Sequence, residues 1–327
     1  MSAQDSLRVA TYAAPLSRDG PGLLLRDIRR GQDPQIAAIK AVIATISPDI
    51  LVLTDFDYDH DGLALSAFAE TTGLDYTHRF SRLPNAGQPS GFDIDGNGRT
   101  GDARDSLGYG RFTGDGGVAV LSRYPFNQDG FVDHTAMLWR DLPDAQLPMA
   151  EGRPFLSDEV LKVLPLSSTV HWNLPVVVPQ GQLRLLVFAA TPPVFDGPED
   201  MNGHRARDEL RLWENVLDGQ MGAIPEAFVV VGNANLDPLA GDGDRAAMAT
   251  FLRRQDLSDP HPGQPNADWG TDGPGQLRVS YVLPSSDWQV VGAGTFWPDA
   301  DMSEADSLSD QWDAVGPHRL VWVDISR

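Results

Sequence analysis

The chain has 327 residues, enough for two ordinary domains or one large one, and its 46 acidic against 25 basic residues leave a formal charge of −21. A surface this acidic repels nucleic acid and anionic membranes and suits small or cationic ligands, divalent metals among them. The lack of cysteine rules out disulfides, thiolate zinc sites and cysteine nucleophiles, and no segment has the apolar length that spans a bilayer.

The opening Met1-Ser-Ala-Gln-Asp-Ser6 has neither a basic nor an apolar leader region. The expected location is therefore periplasmic or secreted if a leader has been removed, and cytoplasmic otherwise. Leu7 to Tyr12 alternates as a first strand, broken by Leu16 to Gly22. Asp33-Pro34 reads as a helix start, with Asp33 as N-cap and Pro34 in the first turn. Ile36, Ile39, Ile43 and Ile46 then make one apolar helical face, which Pro48 ends. Ile50 to Leu53 is a buried strand, so the unit is strand–helix–strand, the mark of an α/β layer.

The acidic stretch Thr54 to Gly62 precedes a helix expected over Leu63 to Thr71. A long insert rich in Gly and Asp fills about 85–117, and Val118 to Ser122 returns to strand. Asp141 to Asp158 has no clear period and reads as loop. Strands are expected at Val170 to Val176 and Leu183 to Ala190, then an irregular Thr191 to Asp200 with three prolines and a glycine. Arg205 to Leu217 is helical, with Leu210, Trp213 and Leu217 on one face. Phe228 to Val231 is a β-branched strand buried on both sides that empties into Gly232-Asn-Ala-Asn-Leu-Asp-Pro238. A helix over Asp244 to Arg253 and strands at Arg278 to Leu283, Trp288 to Val291 and His318 to Ile325 complete the chain. No internal repeat or linker divides it, so residues 1–327 are expected to form one domain with two sheets.

Several of these stretches together resemble the endonuclease/exonuclease/phosphatase superfamily. The carriers are Gly232 to Pro238, Gly117-Val-Ala-Val-Leu-Ser-Arg-Tyr-Pro125, Thr191-Pro-Pro-Val-Phe-Asp-Gly-Pro-Glu-Asp200, Leu277-Arg-Val-Ser-Tyr-Val-Leu-Pro284 and His318-Arg-Leu-Val-Trp-Val-Asp324. The resemblance implies a four-layer α/β sandwich, two mixed sheets face to face with helices outside, and an active site at one end. It also implies phosphoester hydrolysis with Mg²⁺ or a similar metal.

Carried over residue by residue, the resemblance leaves a depleted site. The asparagine expected after the first strand is Ala13, and the metal-holding glutamate is Asp55. The phosphate-gripping histidine falls at Ala189, and the acid that positions water is Asn233. The aspartate that orients the second histidine is Ser280, and the acidic neighbour of His318 is Pro317. His318, Asn235 and the shortened Asp55 remain as candidate catalytic remnants. An amide has no basic lone pair at neutral pH, so Asn233 cannot deprotonate water. One carboxylate is a thin donor set for octahedral Mg²⁺.

Other candidates come from the residues alone. Asp93, Asp95, Asn97 and the Arg99 carbonyl fit the first half of a calcium loop, with Asp102 and Asp105 close to its twelfth position. Asp57, Asp59 and Asp61 fit the same half-pattern, with no acid at the twelfth place. Arg205 and His171 are candidates for lining a ligand pocket. The expected function is a family protein impaired in catalysis that acts as a binding module for a small phosphorylated ligand or a protein partner. The alternative is an active metal-dependent phosphohydrolase rebuilt on Asp55, Asp57, Asp59, Asn235 and His318. A nuclease is disfavoured by the charge.

Overall fold

The structure is a computed structural model that describes residues 6–297 and 314–327. The strands of its two large sheets are β1 (Leu7–Leu16), β2 (Ile50–Phe56), β3 (His78–Ser81), β4 (Gly117–Ser122), β5 (Val132–Asp133), β6 (His171–Val178), β7 (Gly181–Ala189), β8 (Phe228–Asn233), β9 (Ser280–Pro284), β10 (Gln289–Thr295) and β11 (Val321–Ser326). The helices are α1 (Leu23–Arg30), α2 (Pro34–Ile46), α3 (Leu63–Thr71), α4 (Asp158–Leu161), α5 (Met201–Leu217) and α6 (Arg245–Phe251). One sheet runs β10-β11-β1-β2-β4-β3 and the other β9-β8-β7-β6-β5. Both are mixed: β1 and β2 are parallel, as are β7 and β8, while the remaining pairs are antiparallel.

Strand alternation sorts the apolar residues into layers. Val9, Ile50, Val52 and Val120 of the first sheet pack against Leu185, Val187, Val229, Val231 and Val282 of the second. The opposite parity, Tyr12, Leu51 and Leu53, meets Ile39 and Ile43 of α2 and Phe68 of α3. On the far side Leu186, Phe188 and Val230 meet Leu210 and Trp213 of α5 and Met248 of α6. Helix, sheet, sheet, helix is the order of layers, as the resemblance implied.

The local signals explain most of the elements. The Asp33 side chain accepts from the Gln35 and Ile36 amides, and the isoleucine face of α2 is buried. Three features depart from the sequence reading. The first strand runs on to Leu16, with an irregularity between Ala13 and Leu16 that the alternation rule does not anticipate. Helix α1 lies where only a break was expected; just Leu24 and Ile28 of its eight residues are buried, too short a pattern to register as periodic. Strand β3 carries a single buried residue, Phe80, and pairs only with β4 at the sheet edge.

Candidate active-site cleft

The register of the strands assembles the motif residues. Ala13 stands opposite Thr54 in the first sheet. In the second, Asn233 stands opposite Ala189 on one side and Ser280 on the other. All have the inward parity of their strands, so the two rows face each other at the end of the sandwich. Gly232 makes this possible. Its backbone is left-handed (φ 142), and a Cβ there would overlap the Phe188 carbonyl oxygen of the neighbouring strand.

The rows open into a cleft of about 720 Å³ lined by Ala13, Thr54, Asp55, Ala189, Asn233, Asn235 and His318. The candidates from the three remnant positions are therefore brought together. Asp55 adopts φ 67, at the point where the register between β2 and β4 shifts. Gly116 lies close enough that a Cβ would sit 3.1 Å from Asp55 Oδ1. Burial pushes the Asp55 carboxyl up to about 7; a hydrogen bond from Ser17 opposes this, and Asp57 and Asp115 add to it. Asn235, at φ 53, donates its amide to the Ala190 carbonyl at 2.7 Å, and its backbone N–H donates to Asn233 Oδ1 at 3.2 Å. Asn235 thus closes the loop after β8 and ties it to the end of β7.

His318 sits edge-on to Trp269, with ring centroids 5.2 Å apart. Its Nδ1 is buried with no hydrogen-bond partner, and burial pushes the imidazole down to about 4, helped by Arg319. It is neutral at physiological pH. Ser280 Oγ and Thr54 Oγ1 are likewise buried and unpartnered. Where a carboxylate would hold the ring, the serine hydroxyl reaches no partner.

The other candidates lie elsewhere. Asp57 is buried, and its oxygens accept from the amides of Arg18 at 2.9 Å and Gly116 at 3.2 Å. Asp59 caps α3 by accepting from Leu63 and Ala64, and Asp61 is exposed. The Asp57-Asp59-Asp61 series is therefore split among separate structural roles, and none of the three lines the cleft.

His171 has the outward parity of β6. It is wholly buried under α5 between Phe188 and Trp213, with Nδ1 at 2.6 Å from Ser167 Oγ and Nε2 at 2.9 Å from the Glu209 carbonyl. Trp172, one residue on, is the inward one. Arg205 is also buried. Its guanidinium donates to the carbonyls of Leu166 at 2.9 Å, Leu107 at 2.6 Å and Pro165 at 2.9 Å, beside a neighbouring cavity and not in the cleft. His171 does not line the end cleft, which corrects that expectation, while Arg205 lines the neighbouring cavity instead.

The Asp93 loop does fold back. Oxygens of Asp93, Asp95 and Asp105 lie within 4.8 Å of one another. The turn Ala103–Asp105 delivers Asp105 one place beyond the twelfth position, while its Oδ1 accepts from the Ile94 amide. Asn97 bridges Asp95 and Asp102 through its side-chain amide, and its own oxygen accepts from the Arg99 amide.

Two residues were missed in the sequence. Trp269 supplies the aromatic wall beside His318. Glu209 of α5 anchors the rim: its carboxylate accepts from Ser168 N at 2.6 Å, Ser168 Oγ at 2.8 Å and Thr191 N at 2.7 Å. Arg205, Glu209 and Trp213 follow at intervals of four on one buried stripe of α5. Charged residues in line with a core tryptophan were the available signal. Beyond Thr191, Pro192, Pro193, Val194 and Phe195 form the rim of the cleft.

Comparison with known proteins agrees with this geometry. The profile of the Endonuclease/Exonuclease/phosphatase family matches residues 27–311. A solved endonuclease/exonuclease/phosphatase from Beutenbergia cavernae DSM 12333 superposes with TM-score 0.58 at 19% identity, covering 98% of this chain and 72% of that one. Sphingomyelinase C from Streptomyces griseocarneus gives TM-score 0.52 at 15% identity over 98% and 99% of the two chains. The human Nocturnin catalytic domain gives 0.52 at 14% over 98% and 94%. At such identities these likenesses establish the fold alone. Comparison with curated protein sequences yields no match.

Proposed function

The chain belongs to the endonuclease/exonuclease/phosphatase family, and from that premise we propose that its end cleft has lost phosphoester hydrolysis and serves to bind. The observation that carries the reading is the register of Ala13, Ala189, Asn233 and Ser280 around His318, each inert where the family resemblance implies a group that handles a metal, a phosphate or a proton. The donor set fits Mg²⁺ poorly. Asp55 is the one carboxylate at the family's metal position, and its neighbour Asp57 spends both oxygens on backbone amides. Among the described residues, the acids that approach one another in threes are Asp93, Asp95 and Asp105, outside the cleft. Losing a single preorganised partner commonly costs about 3 kcal/mol of transition-state stabilisation.

The test is turnover of a generic phosphomonoester and a phosphodiester with Mg²⁺, Mn²⁺ or Ca²⁺. The expected rate is that of the buffer with metal alone. Metal-dependent turnover that disappears in His318→Ala would return the protein to the hydrolases, with the rebuilt site as the explanation.

Part of the same reading concerns the Asp93 loop, which we infer takes Ca²⁺ as a structural ion. Its support is the approach of Asp93, Asp95 and Asp105 within a Gly-rich turn. Millimolar Ca²⁺ is expected to raise the melting temperature by several degrees in the parent and not in Asp93→Ala. An equal rise in both would remove the ion from this loop.

A further inference from the structure

The charge of the cleft has turned over, and this bears on what it binds. No lysine or arginine is among its lining residues, which include three carboxylates, Asp55, Asp237 and Asp242. The histidine in it is neutral. Arg18, whose charge acts on Asp55, donates to Asp27, Asp33 and the carbonyls of Pro15 and Ser17. Arg319, beside His318, donates to the carbonyls of Gly316, Pro317 and His318 and lies over Trp297. Among the described residues, a phosphate entering here meets no lysine or arginine in the lining.

Apart from Thr54, Thr169, Asn233 and Asn235, the rest of the lining is mostly apolar and aromatic. Ala13 and Ala189 form bare ground where the resemblance implies polar side chains, and Ala190, Leu277 and Val279 continue it. Trp269 walls one part. Phe195, 77% exposed and held at φ 72, stands at the rim. An exposed aromatic fixed in a left-handed backbone costs free energy that packing does not return, which is typical of a contact residue. Thr54 Oγ1 and His318 Nδ1 are buried polar atoms at the cleft with no protein partner. Of the two other carboxylates, Asp237 is committed to the amides of Leu239, Ala240 and Arg278. Asp242 is solvent-exposed, which leaves Asp55 as the more enclosed acid of the cleft.

We propose that the cleft binds an organic monocation with an apolar or aromatic body, its ammonium at Asp55 and its body against Trp269 and the alanine floor. The proposal rests on the loss of hydrolysis argued above and names the ligand class. The volume suits a drug-sized molecule, the Trp269 ring offers a flat apolar wall to its body, and the overall charge of −21 draws cations in.

The experiment is isothermal titration of the full chain with phenethylammonium, 2-phenylethanol and phenyl phosphate. At pH 8 the amine is expected to bind at least about tenfold tighter than the alcohol, one charge pair being worth roughly that factor in a partly desolvated site. Phenyl phosphate is expected not to bind. Amine affinity should fall by about the same factor in Asp55→Asn and should also fall in Trp269→Ala. Equal affinity for amine and alcohol, or an amine site indifferent to both substitutions, overturns the ligand class. If the turnover assay is also blank, only this inference fails. Phenyl phosphate bound tightly with Mn²⁺ and then hydrolysed overturns both this inference and the reading beneath it.

Discussion

Asp55 concentrates the physical tension of the cleft. It is a carboxylate in the left-handed region, hydrogen-bonded by Ser17 but crowded by two other acids in a poorly solvated corner. Its folded pKa of about 7 stands above the ordinary value of 3.8, so the folded protein holds that proton more tightly than the unfolded chain. Stability from this group is therefore full below about pH 4 and is lost as pH rises through 7. Asp57 and Glu209, also raised to about 7, push the same way. His318, lowered to about 4, acts oppositely: the unfolded imidazole takes a proton first, so stability falls as pH drops from about 6.5 through 4. Asp55→Asn removes the ionisation while keeping the shape. It should stabilise the fold at pH 8 by on the order of 2 kcal/mol, read as a higher melting temperature, and by clearly less at pH 5. An equal gain at both pH values would mean that the carboxyl is not the strained group. At this scale the sequence was partly legible. The substitutions at Ala13, Ala189, Asn233 and Ser280 stood out because the glycines and prolines around them were intact. His171 was misplaced because strand β6 is apolar on both faces, so its composition does not say whether residue 171 or 172 faces inward.

Helix α5 is the element that turns a sequence of prolines into a fixed rim. It buries Arg205, Asp208 and Glu209 together, an expensive choice that is balanced by complete partnering. Arg205 gathers the loop carbonyls, Asp208 accepts from the Trp139 indole at 2.8 Å and the Gln146 amide at 2.7 Å, and Glu209 holds Ser168 and Thr191. Glu209→Ala would leave two buried backbone amides without acceptors and the Arg205 charge without its nearby acid. The expected loss is about 3 kcal/mol or more, read as a fall in the urea midpoint. Faster proteolysis within 191–200 should accompany it. A loss under about 1 kcal/mol would show that the rim is held by its prolines. The longer elements, α2, α3, α5 and the buried strands, were legible because their apolar patterns run for several repeats. Helix α1 and strand β3 were not, because each buries one or two residues and depends on neighbours that the local sequence does not contain.

Across the whole molecule, the two sheets keep their inward faces apolar right up to the end of the sandwich. There the last inward residue of each strand decides the chemistry. Family membership, the two-sheet architecture and the place of the cleft could all be anticipated, since they rest on residues that build the scaffold. The lining contributed by distant loops could not, since Trp269 meets His318 only through the pairing of Ala267 with His318. The acidic surface favours cations everywhere, so a cation bound at the cleft must be told apart from one bound elsewhere. Titration of Mn²⁺ into the parent, Asp93→Ala and Asp55→Asn does this most directly. No Mn²⁺ site tighter than roughly millimolar is expected to depend on Asp55, whatever the Asp93 loop takes up. A micromolar Mn²⁺ site retained in Asp93→Ala and abolished in Asp55→Asn would contradict it.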